Sequence, residues 1–212
     1  MIVILDYGMG NSGSILNMLR KVGGSAIISR KKEDLLKANG IIIPGVGRFD
    51  SAMKMLQDFD LIDPLNRIKS EGVVPILGIC LGMQLFFKYS SEGCENGLGW
   101  IDGEVKKFNF SSCEKGHNLK VPHMGWNSIS VNESQNIFKD LDFESRFYFV
   151  HSYYVFCTNS KNILAEANYG GIFTCAVCDN NLYGVQFHPE KSHSFGMKLF
   201  KNFLEIVDFA KN

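Results

Sequence analysis

The sequence predicts an α/β fold: a mostly parallel central sheet flanked by helices, with an antiparallel β extension. Three observations predict it. Over the first ninety residues, short apolar runs alternate with helix-periodic segments, the pattern of βαβ units. From about 98 to 187 this gives way to short β-rich runs separated by Gly, Asn and Ser clusters. The final segment, about 193–210, puts Phe195, Leu199, Phe203, Ile206 and Ala210 on one helical face, as in a closing helix packed on the sheet.

Taken in order, the strand-like runs fall near 2–6, 25–29, 40–43 and 73–79, and the helical segments near 12–22, 32–38, 51–59, 61–71 and 81–89. The extension reads as strands near 104–110, 146–154, 163–167, 172–178 and 182–187. Neither a linker, a repeat nor a low-complexity tract interrupts the chain, so 1–212 is expected to be one domain. Its 22 Lys and Arg balance 22 Asp and Glu, which gives no basic field for nucleic acid. Without a leader-like N-terminus or an apolar run near the ~20 residues of a membrane span, neither secretion nor a membrane is expected. The six cysteines show no framework spacing and are expected to be reduced thiols in the cytoplasm.

Chemistry concentrates at Gly78-Ile79-Cys80-Leu81-Gly82. The apolar run Val73-Val74-Pro75-Ile76-Leu77 precedes it and the apolar-periodic Met83–Phe87 segment follows, so Cys80 should sit on a sharp strand-to-helix turn. The glycines remove side chains that would clash there. The helix start behind Cys80 supplies free backbone N–H groups that favour negative charge on sulfur and on a neighbouring oxyanion. A buried structural cysteine is the plain alternative. The expected base is His188, in Gly184-Val185-Gln186-Phe187-His188-Pro189-Glu190, where Pro189 ends the strand and leaves both polar side chains at its exit. His188 can take a thiol proton, and Glu190 can hold the imidazole in the required tautomer. His151, within the aromatic run Tyr148–Tyr154, stays open as a second candidate base. Pro44-Gly45-Val46-Gly47 follows the strand Ile41-Ile42-Ile43; in a parallel sheet it lies at the same carboxyl edge as Cys80, so that Val46 N–H and Leu81 N–H can form an oxyanion hole.

Two other motifs compete. Gly8-Met9-Gly10-Asn11-Ser12-Gly13 matches a dinucleotide turn, and Arg30-Lys31-Lys32 at the end of the second strand suits a 2′-phosphate, which keeps an NADP-binding module open. Nothing downstream resembles a hydride-transfer domain. Cys175-Ala176-Val177-Cys178 has C-x-x-C spacing, but in a strand residues three apart face opposite sides, so no metal is expected.

With Cys80, His188 and Glu190 assembled, the chain resembles the class I (triad) glutamine amidotransferases, and within them the glutaminase subunits of imidazole glycerol phosphate synthases. The resemblance runs nearly end to end: Asp6–Asn11, Pro44–Phe49 with Ala52-Met53, Gly78–Gln84, Lys120-Val121-Pro122-His123-Met124-Gly125-Trp126-Asn127, His151-Ser152-Tyr153 and Gly184–Ser192. It implies Cys80 as nucleophile, His188 as acid and base, and Glu190 as its orienting partner. It further implies Gln84, Glu92, Ser152 and Tyr153, with Gly45 beside them, as holders of the glutamine backbone. No cofactor is implied. The partner implied is a (βα)8-barrel synthase subunit in a heterodimer, contacted through Met9, Asn11, Pro122, His123 and Trp126. A core position is the alternative for Trp126. Asn11–Ser14 lacks the bulkier or basic residue that the resemblance leads one to expect after Gly10-Asn11, and Gly97–Gly103 also resembles paralogues that supply ammonia to enzymes modifying surface sugars, with the same reaction on glutamine.

Overall fold

A computed structural model describes residues 1–110, 119–132, 136–141 and 145–210. Its strands are β1 (Ile2–Leu5), β2 (Ala26–Ser29), β3 (Gly40–Ile43), β4 (Ile76–Ile79), β5 (Phe87–Ser90), β6 (Ile101–Lys107), β7 (His123–Ser128), β8 (Ser130–Val131), β9 (Arg146–His151), β10 (Tyr153–Cys157), β11 (Ile163–Asn168), β12 (Ile172–Asp179) and β13 (Leu182–Val185). The helices are α1 (Ser12–Lys21), α2 (Lys32–Leu36), α3 (Phe49–Asp58), α4 (Ile62–Glu71), α5 (Leu81–Gln84) and α6 (His193–Phe209).

The main sheet runs β2-β1-β3-β4-β13-β12-β10-β6-β5. Its first five strands are parallel, β13 being the last of them, and β12 and β10 continue it antiparallel. Alternation along β1 explains the layers. Ile2 and Ile4 join Ile15, Leu19, Leu199, Phe200 and Phe203 on the face covered by α1 and α6. Val3 and Leu5 join Leu35, Phe49, Leu56, Leu65 and Ile68 under α2, α3 and α4. Strands buried on both faces are the ones that read as unbroken apolar runs. A second sheet, β7 with β9, sets His123 opposite His151.

Four elements differ from the expectation. The segment 81–89 forms one helical turn and then turns into β5, because Leu98 N–H donates to Leu85 O and Trp100 and Ile101 N–H donate to Phe86 O, which diverts the carbonyls a longer helix needs. The single strand expected over 146–154 is two strands in two sheets, broken at Ser152, so the polar pair His151-Ser152 marks a junction rather than a strand interior. Residues 123–128, read only as a motif, form β7. In α6 the buried stripe is Gly196, Leu199, Phe200, Phe203 and Val207, shifted by part of a turn from the face expected. Among the described residues no helix is long and apolar enough to cross a membrane.

Candidate active site

Cys80 follows β4 with a positive φ, at φ 54° and ψ −111°, a conformation that non-glycine residues adopt only when the surroundings impose it. The surroundings here are tight. A Cβ at Gly82 would collide with the Ile43 carbonyl oxygen, and one at Gly78 would lie 2.8 Å from Gly82 O. The turn is therefore a strained elbow wedged against the end of β3, as the glycine spacing predicts. Leu81 begins α5, so its N–H has no partner within the helix.

The loop after β3 packs on this elbow: a Cβ at Gly45 would sit 2.5 Å from Gly82 N. The glycine-rich turn after β1 braces the same loop. The buried Tyr7 hydroxyl donates to Pro44 O at 2.6 Å, a Cβ at Gly10 would meet Pro44 at 2.8 Å, and one at Gly47 would meet the Met9 methyl at 2.9 Å. Burial, with a contribution from negative charge on Cys80, keeps the Tyr7 phenol protonated far above its usual range. The motif that resembles a dinucleotide turn thus buttresses the elbow's neighbour, and Asn11 within it caps α1 by accepting from Ser14 N–H at 3.2 Å.

His188 and Glu190 follow β13. His188 Nδ1 lies 2.8 Å from Glu190 Oε1, and both side chains are closed to solvent, at 1% and 2% exposure. The turn is pinned to β9: His188 N–H donates to Tyr148 O, Ser192 Oγ donates to His188 O at 2.6 Å, and Tyr148 N–H donates to Ser192 Oγ at 3.0 Å. Burial acts to lower the basicity of the ring, but negative charge on the adjacent Cys80, a hydrogen bond to it and the Glu190 carboxylate outweigh burial and push its pKa up to about 10. With His188 Nδ1 on Glu190, Nε2 is the ring nitrogen left to meet Cys80, and it is buried without any other partner. At neutral pH the ring holds a proton that it can hand to a departing amine.

A cavity of about 500 Å³ opens over Cys80, lined by Val46, Gly47, Leu81, Gln84, Glu92, Pro122, Val150, His151, Ser152, Tyr153 and Lys191. It gathers the expected residues from both halves of the chain. Gly45 lies behind its wall, packed on Leu81 and Gly82. Glu92 accepts from Phe49 N–H at 2.9 Å, tying the cavity rim to the start of α3. Gln84 Nε2 donates to Tyr153 O at 3.1 Å.

His151 is not available as the base. Its Nδ1 lies 2.8 Å from Tyr153 O and its Nε2 lies 3.0 Å from His123 Nδ1. Both ring nitrogens are taken, and burial pushes its pKa down to about 3 and that of His123 to about 4. His123, expected at the partner surface, is only 3% exposed and stacks between Phe149 and Tyr169, because β7 turns it inward toward β9. Trp126 is not a core residue: it is 46% exposed, stacks on His193 and neighbours the 62% exposed Met124. Pro122 and Lys191 serve the cavity wall, which sequence reasoning assigned to neither. In the C-x-x-C pair, Cys175 is buried and Cys178 half-buried. Cys113 lies outside the described residues.

The class-I glutamine amidotransferase family model matches residues 3–207. The chain belongs to the class-I glutamine amidotransferases. Among its relatives are the imidazole glycerol phosphate synthase subunit HisH 2 of Methanococcus maripaludis, 51% identical over 97% of this chain and 99% of the relative, and its namesake in Pseudomonas aeruginosa, 48% identical over 98% and 100%. The subunit HisH of Leptospira borgpetersenii is 45% identical over 97% and 100%. Solved structures agree on the fold: PurLQS from Thermotoga maritima superposes with a TM-score of 0.72 at 17% identity, covering 97% of this chain and 98% of that one. A putative GMP synthase protein from Thermoplasma acidophilum gives 0.71 at 22%, covering 99% and 94%.

Proposed function

We propose that this chain is the glutaminase subunit of an imidazole glycerol phosphate synthase, acting in histidine biosynthesis in the cytoplasm without a cofactor, as one glutaminase unit over 1–212. The observation that carries the chemistry is the strained Cys80 elbow, open to the cavity and interacting with a buried His188 held 2.8 Å from Glu190 behind the cavity wall. Full-length relatives that are synthase subunits support the pathway.

In the proposed reaction, Gln84, Glu92, Ser152 and Tyr153 hold the backbone of glutamine and place its side-chain amide over Cys80. The sulfur attacks the amide carbon, and Val46 and Leu81 N–H stabilise the resulting oxyanion. His188 protonates the nitrogen as the C–N bond breaks, releasing ammonia and leaving a glutamyl thioester. Water, giving its proton to His188, attacks the thioester carbon, glutamate leaves, and the sulfur is restored. Glu190 keeps His188 oriented throughout.

Ammonia released into water becomes ammonium, so a second subunit must receive it; the proposed partner is a (βα)8-barrel synthase in a heterodimer. The surface proposed to meet it carries Met9, Asn11, Pro122 and Trp126. The half-exposed Trp126 and the exposed Met124 support this, since aromatic residues and methionine are enriched in protein interfaces.

The test is glutamate release by the chain mixed with a histidine-pathway barrel synthase and that synthase's nucleotide ligand. Wild type is expected to be strongly stimulated and Cys80→Ser to lose activity by about 10³-fold or more. Turnover retained by Cys80→Ser overturns the mechanism. Labelling of Cys80 by a glutamine-like chloroketone without stimulation overturns the pathway and points to a partner that modifies surface sugars.

A further inference from the structure

The main-chain carbonyl of Tyr153 can only accept hydrogen bonds. Two side chains meet it, His151 Nδ1 at 2.8 Å and Gln84 Nε2 at 3.1 Å, so both must donate. This orients the Gln84 amide. Its second hydrogen is directed to Gln186 Oε1 at 3.0 Å. With its oxygen facing Gln84, the Gln186 amide turns its nitrogen the other way, where Nε2 lies 3.5 Å from Cys80 Sγ. Gln186 is fully buried and Gln84 nearly so, which removes water as a competing partner. Backbone pairing holds the two ends in register: Cys80 N–H donates to Val185 O at 2.7 Å, and Gln186 N–H donates to Cys175 O at 2.8 Å.

We propose that Gln186 is a further catalytic residue of the glutaminase: its amide N–H, aimed by the Tyr153 carbonyl through Gln84, donates to the Cys80 sulfur and stabilises it as the attacking thiolate. The inference rests on Cys80 being the nucleophile. Hydrogen bonds to an ionised acceptor are roughly twice as strong as those to a neutral one. The donor therefore favours anionic sulfur twice in the cycle, before attack on the amide and again when sulfur leaves the thioester. Because Gln84 and Tyr153 also belong to the glutamine-binding wall, the same bonds that shape the substrate site orient the nucleophile. Gln186 lies in the His-Glu motif but carries no charge, and nothing in its local sequence signals the contact, which spans 106 residues.

The test compares Gln186→Met, similar in length but without a donor, with wild type in the full chain. The readout is the rate of Cys80 alkylation by iodoacetamide as a function of pH, followed by mass spectrometry. The half-maximal pH is expected to rise and alkylation at neutral pH to fall about tenfold, the loss expected for one hydrogen bond to a charged group. An unchanged profile in a folded Gln186→Met that binds glutamine normally overturns the role of Gln186. Absence of selective chloroketone labelling of wild-type Cys80 overturns the glutaminase reading instead. A variant that fails to fold leaves the decision to the wild-type chain. In isotope-labelled protein, the side-chain amide resonances of Gln186 are expected to follow the alkylation pH profile and to move on carbamidomethylation of Cys80. Resonances unmoved by either overturn the proposal.

Discussion

Glu190 adds to the larger effect of Cys80 in raising the basicity of its neighbour, and does so through one oxygen. Its Oε1 meets His188 Nδ1, while Oε2 is buried without a protein partner. Glu190→Gln keeps an acceptor at that distance but removes the carboxylate charge, one of the causes that lift the imidazole to about 10. Glutamate release is expected to fall by about 10²–10⁴-fold, the range seen when an orienting carboxylate is neutralised. The sign of the pH effect follows from the proposed mechanism. His188 must carry a proton to release ammonia, so a lowered pKa moves the alkaline limb of the kcat profile to lower pH. Rates measured with the partner across the alkaline range check this, and a limb that does not move removes Glu190 from the role. This pair was legible in the sequence because His188 and Glu190 flank Pro189 just past an apolar strand, although that strand ends earlier than expected, at Val185. Gln186, His123 and His151 were not legible in the same way, since each acquires its role from a residue on another strand.

At the scale of elements, the site depends on packing between loops that follow parallel strands. Parallel pairing of β3 with β4 brings Pro44–Gly47 beside Cys80, and the glycines there are explained by collisions that any side chain would cause. These contacts were readable because a strand, a glycine turn and a helix follow one another in the chain. The change from α5 to β5 was not, because a run buried on all sides looks alike as helix or strand and the deciding bonds come from 98–101. Tyr7 shows how one element holds another. Its hydroxyl donates to Pro44 O in a buried site, so Tyr7→Phe leaves that carbonyl without a partner. The variant is expected to lose about 1–3 kcal/mol in urea unfolding, the cost of an unsatisfied buried acceptor. It is also expected to exchange the amide hydrogens of 45–48 faster, with kcat lowered more than KM is raised. Unchanged exchange at the loop would show that the brace lies elsewhere, in the contacts of Gly10 or Met9.

For the molecule as a whole, a pair of buried histidines within the β7–β9 sheet ties that sheet to the main one through the Tyr153 carbonyl. His123 on β7 donates from Nδ1 to His151 Nε2, and His151 donates from Nδ1 to the Tyr153 carbonyl that opens β10. The direction is fixed by that carbonyl, because a ring that donates from Nδ1 and is neutral must accept at Nε2. Protonating His151 sets its Nε2–H against the His123 Nδ1–H, and protonating His123 sets its Nε2–H against the Asn127 side-chain amide 3.4 Å away. The folded values, about 3 for His151 and about 4 for His123, lie below the 6.5 expected in the unfolded chain. The unfolded state therefore binds more protons below that pH, so this contribution is complete above 6.5 and is lost progressively as pH falls toward the folded values. His188 opposes this slope only weakly and mainly near pH 6, since its raised folded pKa and the ordinary value of 6.5 in the unfolded chain leave it almost fully protonated in both states by about pH 5. The unfolding free energy is expected to fall with pH between about 6 and 5 by up to about 1.4 kcal/mol per pH unit from His151, with a smaller share from His123. Urea titrations across this window measure the slope. His123→Gln, which keeps a donor for His151 but cannot titrate, is expected to reduce it, and a stability that stays flat from neutral pH to pH 5 would show that the pair does not hold the sheets together.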